Sequence, residues 1–400
     1  MVKKSSTKKS QKQQRLSLGL MSGTSMDAID AALVLTERGE DTLLLHRQFS
    51  YPKELRTDLL VLLREYQAPL EKITSLHYAV GEAFAAAATN LLKEAKKKRL
   101  LSMQNTPLLI GSHGQTIFHN PEVKQTMQIG EGSIIAARTG FTTVSDFRMA
   151  DTAVDGEGAP LLPFYHAKLF AKKAKLGIAV HNLGGISNFT YLGPKGKFFA
   201  LDTGPANCLI DVAITTLTNG KSTFDPDGAF AARGATHKEA LDFLMQKESI
   251  RNFLEKPAPK STGRELFSLQ LLEDFLKKYR TLSLEDTLAT LSAFTVETMR
   301  MAYSRFILEK RLPLKEVIFC GGGTRNAHII SSFQSYFPML RLSSIENHGI
   351  KPEALEAQAF GIFAWMALDR IPITSLTTTG AKKAVICGKI SYGEIARKSR

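Results

Sequence analysis

The feature that most constrains the fold is a pattern found in both halves of the chain, in which an apolar run leads directly into a turn of small polar residues. Residues 19–32 read GLMSGTSMDAIDAA, so a strand-like run breaks at 22–25 and a second run follows. Residues 178–192 repeat the pattern around the turn 182–188. Two strand-like runs joined by a tight turn predict a β-hairpin. A hairpin in each half, with helical patterns around it, indicates a duplicated α/β fold whose two lobes enclose a cleft.

The rest of the chain predicts further strands and flanking helices. Alternating or continuous apolar runs favour strands, and leucines or alanines at helical spacing favour helices. Residues 220–264 are rich in Gly, Pro and charge and read as irregular. The predicted strands are 16–21, 28–35, 43–49, 107–111, 141–145, 178–181, 189–192, 197–201 and 317–320. The predicted helices are 53–66, 71–98, one after residue 207, 283–308 and one after residue 326.

A length of 400 residues fits two domains or two lobes of one unit. We expect a disordered basic tail over residues 1–15, because it holds six lysines or arginines and no acid. An N-terminal lobe is expected over 16–145, rejoined by 365–400, and a C-terminal lobe over 146–364.

Charge and hydropathy limit the partners that the chain is expected to have. The net charge is +14, of which residues 1–15 supply +6, and the remaining +8 fits an anionic ligand. The tail could contact nucleic acid or anionic lipid or be a solvated end. No apolar run approaches the ~20 residues that span a bilayer. The run 16–21 is too short for a signal peptide, so we expect a cytoplasmic protein without membrane contact. The three cysteines lie far apart and are expected to be buried, inert thiols.

Several turns carry glycines and hydroxyls and could present backbone N–H groups to an anion. They are 22–25, 184–185, 202–207 and 321–324. Alternatively, each glycine could have a purely structural role, because glycine allows the backbone geometry of a tight turn. The sequence contains no GxxxxGK[ST], GxGxxG or GxSxG motif. If a nucleotide binds, these hairpin turns would hold it.

Each carboxylate and histidine beside these turns has two possible roles, one functional and one structural. Asp27 beside a phosphate-binding hairpin could hold Mg²⁺ through water. Asp202 could be a helix N-cap or a general base. Asp146, Arg148 and Asp151 could bind a polar, anionic substrate or form surface salt bridges. His113 and His181 each adjoin a predicted strand end, where a histidine can be structural or catalytic.

An ordered set of motifs over residues 16–390 resembles the anhydro-N-acetylmuramic acid kinases. The set begins with MSGTSMDAID and continues through GSHGQT, SDFR and GAPL. It then includes NLGGISN, LDTGPAN, CGGGTRN and EAQAF. No single motif is as specific as the set in this order.

This resemblance implies the fold of acetate and sugar kinases, actin and heat-shock ATPases, with ATP in the cleft between two lobes. It implies one site in which water opens the 1,6-anhydro ring of anhydro-N-acetylmuramic acid and O6 takes the γ-phosphate of ATP. The products would be ADP and N-acetylmuramic acid 6-phosphate, an intermediate of cell-wall recycling. The resemblance also implies Mg²⁺ as a cofactor and a homodimer.

The resemblance assigns roles residue by residue. Asp202 matches the base that activates water, and Glu356 matches a second acid near it. The substrate would contact His113, Asp146, Arg148 and Asn188, with Arg148 facing its lactyl carboxylate. The ATP phosphates would lie along Gly23, Thr24, Ser25, Met26, Asp27, Ala28, Ile29 and Asp30, and the nucleotide also against Gly184, Gly185, Gly321, Gly322, Gly323 and Thr324.

Three departures from the family pattern leave alternatives open. Ala28 and Ala206 replace glycines, and Asp155 and Glu157 add acids in a segment next to the expected anionic substrate. One alternative is a kinase of the same fold for another amino or anhydro sugar. A second is a non-catalytic, nucleotide-regulated assembly protein on an actin-like scaffold. A third, nucleic-acid binding, rests on the basic tail alone.

Overall fold

A computed structural model describes residues 14–23, 26–65, 67–100, 106–262 and 265–394. Its contacts divide the chain into two compact units. The first unit includes the chain up to Tyr165, Glu353–Ser375 and the chain from Ala381. The second unit comprises His166–Pro352 and Leu376–Gly380. The sequence predicts these two boundaries at 145/146 and 364/365. Residues 1–13 of the expected basic tail lie outside the described residues.

Groups of strands and groups of helices follow one another along the chain. The strands are β1 Arg15–Ser22, β2 Ile29–Glu37, β3 Glu40–Phe49, β4 Leu108–Asn120, β5 Gln125–Ile129, β6 Thr143–Ser145, β7 Ile178–Leu183, β8 Ile186–Leu192, β9 Phe198–Pro205, β10 Glu316–Cys320, β11 Arg341–Ser344 and β12 Lys389–Ser391. The helices are α1 Lys53–Glu65, α2 Leu70–Lys97, α3 Gly132–Thr139, α4 Met149–Thr152, α5 Leu162–Leu169, α6 Asn207–Leu217, α7 Lys238–Met245, α8 Glu248–Glu255, α9 Leu269–Lys278, α10 Leu284–Tyr303, α11 Ala327–Tyr336 and α12 Leu355–Leu368.

The two sheets share one connectivity. In the first unit the order is β12-β6-β4-β1-β2-β3, with β5 also paired to β4. In the second unit the order is β11-β10-β7-β8-β9. In each sheet the first strand pairs antiparallel with the second strand of its hairpin, and parallel with a strand that returns after helices. The expected α/β class and its duplication are therefore confirmed at the level of strand order and direction.

Helix α12 packs directly on the backbone of the first sheet. A Cβ atom at Gly19 would lie 1.6 Å from the carbonyl oxygen of Ala357, and one at Gly111 would lie 1.9 Å from that of Phe360. Only glycine permits such an approach, because any larger residue would collide with helix backbone. The two glycines on β1 and β4 thus fix the first turns of α12, which carry Glu356.

The core of the second unit is rich in aromatic rings. Tyr303 of α10 packs against Phe189 of β8 and Phe333 of α11, with ring centroids 4.7 and 5.1 Å apart. Ser283 caps the start of α10, since its Oγ accepts the backbone N–H of Asp286 at 3.0 Å. This cap confirms the helix start expected from the sequence.

Three local predictions were wrong. β4 continues to Asn120, because it pairs with β5, so His113 lies inside a strand and not at its end. β7, β8 and β9 run further than expected, and only Gly184 and Gly185 remain as a turn between β7 and β8. The sequence does not predict these strand ends, because polar residues such as Gln115, Ser187 and Thr203 interrupt the apolar pattern although they are buried. The segment 220–264 contains the helices α7 and α8. Their apolar faces are short, and the Gly and Pro content of the segment predicts irregular structure instead.

Among the described residues, no helix is long and apolar enough to cross a membrane. The three cysteines are buried, as expected, and none of them forms a disulfide.

Candidate functional site

The turn of the first hairpin is held through its carbonyl groups. Met26 has a left-handed backbone (φ 52°), and its N–H donates to the Gly23 carbonyl at 3.1 Å. Arg56 Nε donates to the Met26 carbonyl at 2.9 Å, and Gln115 Nε2 donates to the Gly23 carbonyl at 3.2 Å. Thr24 and Ser25, both predicted phosphate ligands, lie outside the described residues. These bonds hold the backbone of the turn at Gly23 and Met26 in one conformation.

The two acids of this hairpin differ in their surroundings. Asp27 follows the turn, and its side chain is 76% exposed, with a long contact of 3.4 Å from Arg56 Nη2 to Oδ1. Asp30 is the second residue of β2, and His46 Nε2 and Gln48 Nε2 of β3 contact its Oδ1 at 2.8 and 3.1 Å. Ala28 and Ile29 connect them. Asp27 is therefore the more accessible oxygen ligand for a hydrated cation.

Arg148 and His113 form a hydrogen-bonded pair in the first unit. Arg148 Nε donates to His113 Nε2 at 2.9 Å, and Arg148 Nη1 donates to the Gly158 carbonyl at 2.7 Å. Since Nε2 accepts, the ring proton is on Nδ1, which lies 2.9 Å from the Gly114 carbonyl. Burial and the Arg148 charge hold the pKa of His113 well below its usual value. The histidine is neutral and orients Arg148.

Glu356 lies in the first turn of α12, and the residue remains accessible to solvent. Its pKa is raised, because surrounding protein limits hydration of the carboxylate and because Asp30 repels its charge. Arg148 opposes this shift by attracting the charge. The geometry of the first unit thus brings the predicted site residues Asp30, Arg148 and Glu356 into one electrostatic group.

Asp146 and His113 line a cavity of about 430 Å³ in the first unit. The Asp146 backbone is left-handed (φ 56°), and its Oδ2 lies 2.6 Å from Lys389 Nζ of β12. Asp151 is fully buried, and its Oδ2 accepts the Gly158 N–H at 2.7 Å. Asp146 is therefore ion-paired at a cavity wall, whereas Asp151 shapes the loop that contacts Arg148.

In the second unit, the predicted glycine turns meet at one surface. The carbonyls of Gly184 and Gly185 accept N–H groups from residues 206–208 at the start of α6. Gly184, Gly185 and Gly322 line a cavity of about 780 Å³, and Gly322 and Gly323 line an adjoining one of about 470 Å³. Asn207 and Asp211 of α6 border both cavities. The two cavities form a groove with glycine backbone along one side.

The 321–324 turn has room for a ligand at one position only. A Cβ at Gly321 (φ 87°) would lie 2.5 Å from Asn182 Oδ1, and one at Gly323 would lie 2.8 Å from the Leu183 side chain. A Cβ added at Gly322 would have no neighbouring atom within 4 Å. Thr324 donates through both N–H and Oγ to the Gly321 carbonyl, at 3.2 and 2.8 Å. Its hydroxyl therefore closes the turn.

Asp202 and Asn188 lie side by side on the second sheet. Asn182, Asn188 and Asp202 are direct cross-strand partners on β7, β8 and β9, so their side chains share a face. A β-bulge adjoins Asn188. The N-cap of α6 is Ala206, so the N-cap interpretation of Asp202 was wrong. Thr262 N–H donates to Asp202 Oδ2 at 2.8 Å, which fixes the carboxylate.

His181 is structural. It is fully buried, with Nδ1 at 2.9 Å from the Tyr303 hydroxyl and Nε2 at 2.8 Å from Ser187 Oγ. Burial lowers its pKa to about 3.

Several residues that contact the candidate site cannot be predicted from the sequence. Arg56, Gln115 and Lys389 contact predicted ligands but lie 29 to 243 positions away from them, where the sequence offers no spacing signal. Lys260 and Thr262 lie in the segment 220–264, whose composition predicts irregular structure and no site residues.

Comparison with known proteins assigns the chain to the kinases. Residues 15–393 match the family model for Anhydro-N-acetylmuramic acid kinase, and the chain belongs to that family. The enzyme of that name from Caldanaerobacter subterraneus subsp. tengcongensis is 38% identical over 398 residues, covering 95% of this chain and 98% of its own. The one from Hydrogenovibrio crunogenus is 38% identical over 378 residues, covering 94% and 98%.

Solved structures overlap more loosely. The Acidaminococcus fermentans (R)-2-hydroxyglutaryl-CoA dehydratase component A gives a TM-score of 0.42 at 8% identity, covering 90% of this chain and 100% of its own. A ROK family glucokinase from Streptomyces griseus in complex with glucose and AMPPNP gives 0.36 at 12% identity, covering 88% and 99%. Overlaps this loose carry no argument about function.

Proposed function

We propose that this kinase uses ATP and water to convert 1,6-anhydro-N-acetylmuramic acid into N-acetylmuramic acid 6-phosphate and ADP. The observation that carries the proposal is Asp202, which the family resemblance matches to the water-activating base and which a backbone N–H at 2.8 Å holds in one orientation. A fixed carboxylate on a sheet face with Asn188 suits a base that must meet one water at one carbon.

The reaction couples two bond exchanges. Asp202 takes one proton from water as the water oxygen bonds to the anomeric carbon, and the bond from that carbon to O6 breaks. O6 then bonds to the γ-phosphorus of ATP, and the bond to the β–γ bridging oxygen breaks, which releases ADP. Because O6 is produced next to the phosphorus, positioning supplies much of the rate enhancement.

Features of each unit suit the nucleotide. In the second unit, the groove lined by Gly184, Gly185, Gly322 and Gly323 has room for a nucleoside and exposed backbone for phosphates. In the first unit, the Gly23 and Met26 carbonyls and the Met26 N–H are bonded within the protein, so the turn is held in place, and the family resemblance assigns the phosphates to it.

Asp27 is the residue we assign to Mg²⁺. A single exposed carboxylate fits a cation that keeps several waters and binds chiefly to phosphates. When bound, magnesium neutralises charge on the phosphates. Among the described residues, no group of three or more His, Cys, Asp or Glu forms a metal site, which agrees with binding of this sparse kind.

Arg148 supplies the positive charge for the lactyl carboxylate of the sugar. Its partners His113 and Gly158 engage Nε and Nη1 and fix the plane of the guanidinium. Asp146 at the cavity wall and Asn188 beside Asp202 are assigned to hydroxyl and amide groups of the sugar.

Both acids of the segment that departs from the family pattern are paired with lysines. Asp155 Oδ2 lies 2.9 Å from Lys382 Nζ, and Glu157 Oε1 lies 3.8 Å from Lys124 Nζ. These acids therefore add little net repulsion toward an anionic sugar, which weakens the case for a different substrate. Membership of this family does not favour a non-catalytic assembly protein or a nucleic-acid-binding protein. A cytoplasmic location and a homodimer stay predictions.

The test is incubation with Mg-ATP and 1,6-anhydro-N-acetylmuramic acid in ¹⁸O-labelled water. We expect ADP and a sugar 6-phosphate labelled at the anomeric oxygen, after correction with unlabelled product for slow anomeric exchange. ADP release without label would contradict water attack at the anomeric carbon. No ADP above background would contradict the substrate assignment, and a panel of other amino and anhydro sugars would follow.

A further inference from the structure

We propose that Lys260 is a positioning residue for Asp202, because its buried ammonium anchors the backbone segment that holds the carboxylate. The inference rests on the proposed role of Asp202 as base and adds a residue to which the family resemblance assigned no role.

The segment 260–262 runs beside β9 and contacts Asp202 at both ends. The Asp202 N–H donates to the Lys260 carbonyl at 2.9 Å, and the Thr262 N–H donates to Asp202 Oδ2 at 2.8 Å. The donor to the carboxylate is a backbone group. Any shift of this segment therefore moves the hydrogen bond that orients the base.

The Lys260 side chain fastens the segment to the end of α8. It is only 2% exposed, and Nζ donates to the carbonyls of Phe253 and Leu254 at 3.2 and 3.4 Å. The ammonium also lies 4.2 Å from the centre of the Phe253 ring, a cation–π contact. The last carbonyls of a helix attract a cation, so the anchor needs the charged lysine.

The charges around Lys260 come from three elements. Burial lowers its pKa to about 8, and Arg305 and Lys256 act in the same direction, whereas Asp202 of β9 opposes them. Arg305, in the π-helical segment after α10, also donates to the Leu254 carbonyl at 2.9 Å. Attraction between Lys260 and Asp202 is mutual, so the ammonium also favours the ionised base.

Packing alone does not require a lysine here. An apolar residue of equal length would fill the space without the desolvation cost of an ammonium. A lysine at this position indicates that its charge and its donor groups are used.

The decisive variant is K260M, which keeps the length and removes the charge. In K260M, the carbonyls of Phe253 and Leu254 each keep a hydrogen-bond partner. The Lys256 N–H donates to the Phe253 carbonyl at 3.2 Å, and Arg305 Nη1 donates to the Leu254 carbonyl. K256M, the same change at an exposed lysine four positions earlier, is the matched control. K260R tests whether a retained charge preserves function.

Steady-state kinetics from pH 5 to 10, with Mg-ATP and the anhydro sugar, give the readout. For K260M we expect kcat to fall by about tenfold or more, KM for ATP to stay within twofold, and the acid limb of kcat/KM to move to higher pH. We expect K256M to match wild type and K260R to keep the wild-type acid limb. A K260M enzyme with kcat within twofold, or with a lower kcat and an unmoved acid limb, overturns the inference.

If K260M does not fold, K260Q decides, because its amide keeps a donor at this position without the charge. We expect K260Q to show the lower kcat and the shifted acid limb. A K260Q enzyme with the wild-type kcat and acid limb overturns the inference. An inactive wild-type enzyme would instead contradict the proposed function, so the two failures are distinct.

Discussion

Arg148 Nε donates to His113 Nε2 at 2.9 Å, and this bond turns a residue expected to touch substrate into one that orients the arginine. The imidazole is neutral, with its proton directed to the Gly114 carbonyl. A neutral histidine accepts a hydrogen bond from arginine without repelling it, which an imidazolium could not do.

Loss of this acceptor should weaken sugar binding. We expect H113L to lower kcat/KM for the sugar by about 10- to 100-fold, chiefly through KM, because a charged hydrogen bond is lost. H113Q, whose amide oxygen can replace Nε2, should lose less. Steady-state kinetics measure both. Equal losses for both variants, or an effect confined to KM for ATP, would argue against orientation of Arg148.

Asp202→Asn should abolish turnover while nucleotide still binds. The amide keeps the shape of the carboxylate but cannot take a proton from water, so we expect kcat to fall by about 10²-fold or more. Calorimetric titration with an ATP analogue should give a Kd within threefold of wild type. A kcat near the wild-type value would remove Asp202 from the role of base.

Glu356→Gln should stabilise the fold in a pH-dependent way. The pKa of Glu356 is raised in the folded protein, so the folded state binds its proton more tightly than the unfolded state. Ionisation of this group therefore costs stability as pH rises above its unfolded value near 4.5. We expect E356Q to melt at a higher temperature than wild type at pH 8 and at the same temperature at pH 4.

Thermal unfolding from pH 4 to 8 checks this sign. A difference in Tm that is constant across the range would show that the amide acts through packing and not through titration.

Gly19→Ala should destabilise the first unit strongly. Its methyl group would lie 1.6 Å from the Ala357 carbonyl oxygen, so helix α12 must move away from the sheet. We expect the free energy of unfolding to fall by about 3 kcal/mol or more. Glu356 is carried on the same helix turn, so kcat should fall as well.

Gly196→Ala is the matched control for this substitution. Its backbone is left-handed (φ 72°), but nothing lies within 4 Å of the new methyl group. We expect a cost of about 1 kcal/mol and unchanged kcat. Chemical denaturation of both variants measures the contrast, and equal losses would contradict the steric explanation.

Removal of residues 1–13 should leave kcat/KM unchanged. The family match begins at residue 15, and Arg15 belongs to β1, where its guanidinium lies 4.6 Å from the Trp365 ring centre. The cut must therefore spare Arg15. A loss of more than threefold in the truncated enzyme would show that the basic segment contributes to the site.

Much of the fold could be predicted because its signals are local. The hairpin of β1 and β2, the long helix α2 and the cap at Ser283 each depend on residues close in sequence. The extent of β4 could not be predicted, because its second half is fixed by pairing with β5 and its polar residues do not alternate with apolar ones. The helices α7 and α8 are short, and their signal was weaker than that of the surrounding glycines and prolines.

The sequence by itself determined the α/β class, the duplication, the family and the identities of the acids and glycines that the family uses. These follow from the order of residues along the chain. Tertiary structure alone decided that His113 serves Arg148, that Asp155 and Glu157 are paired with lysines, and that Lys260 lies behind Asp202. Hydrogen bonding, burial and charge pairing act between residues that are close in space, and their distance along the chain leaves no pattern in the sequence.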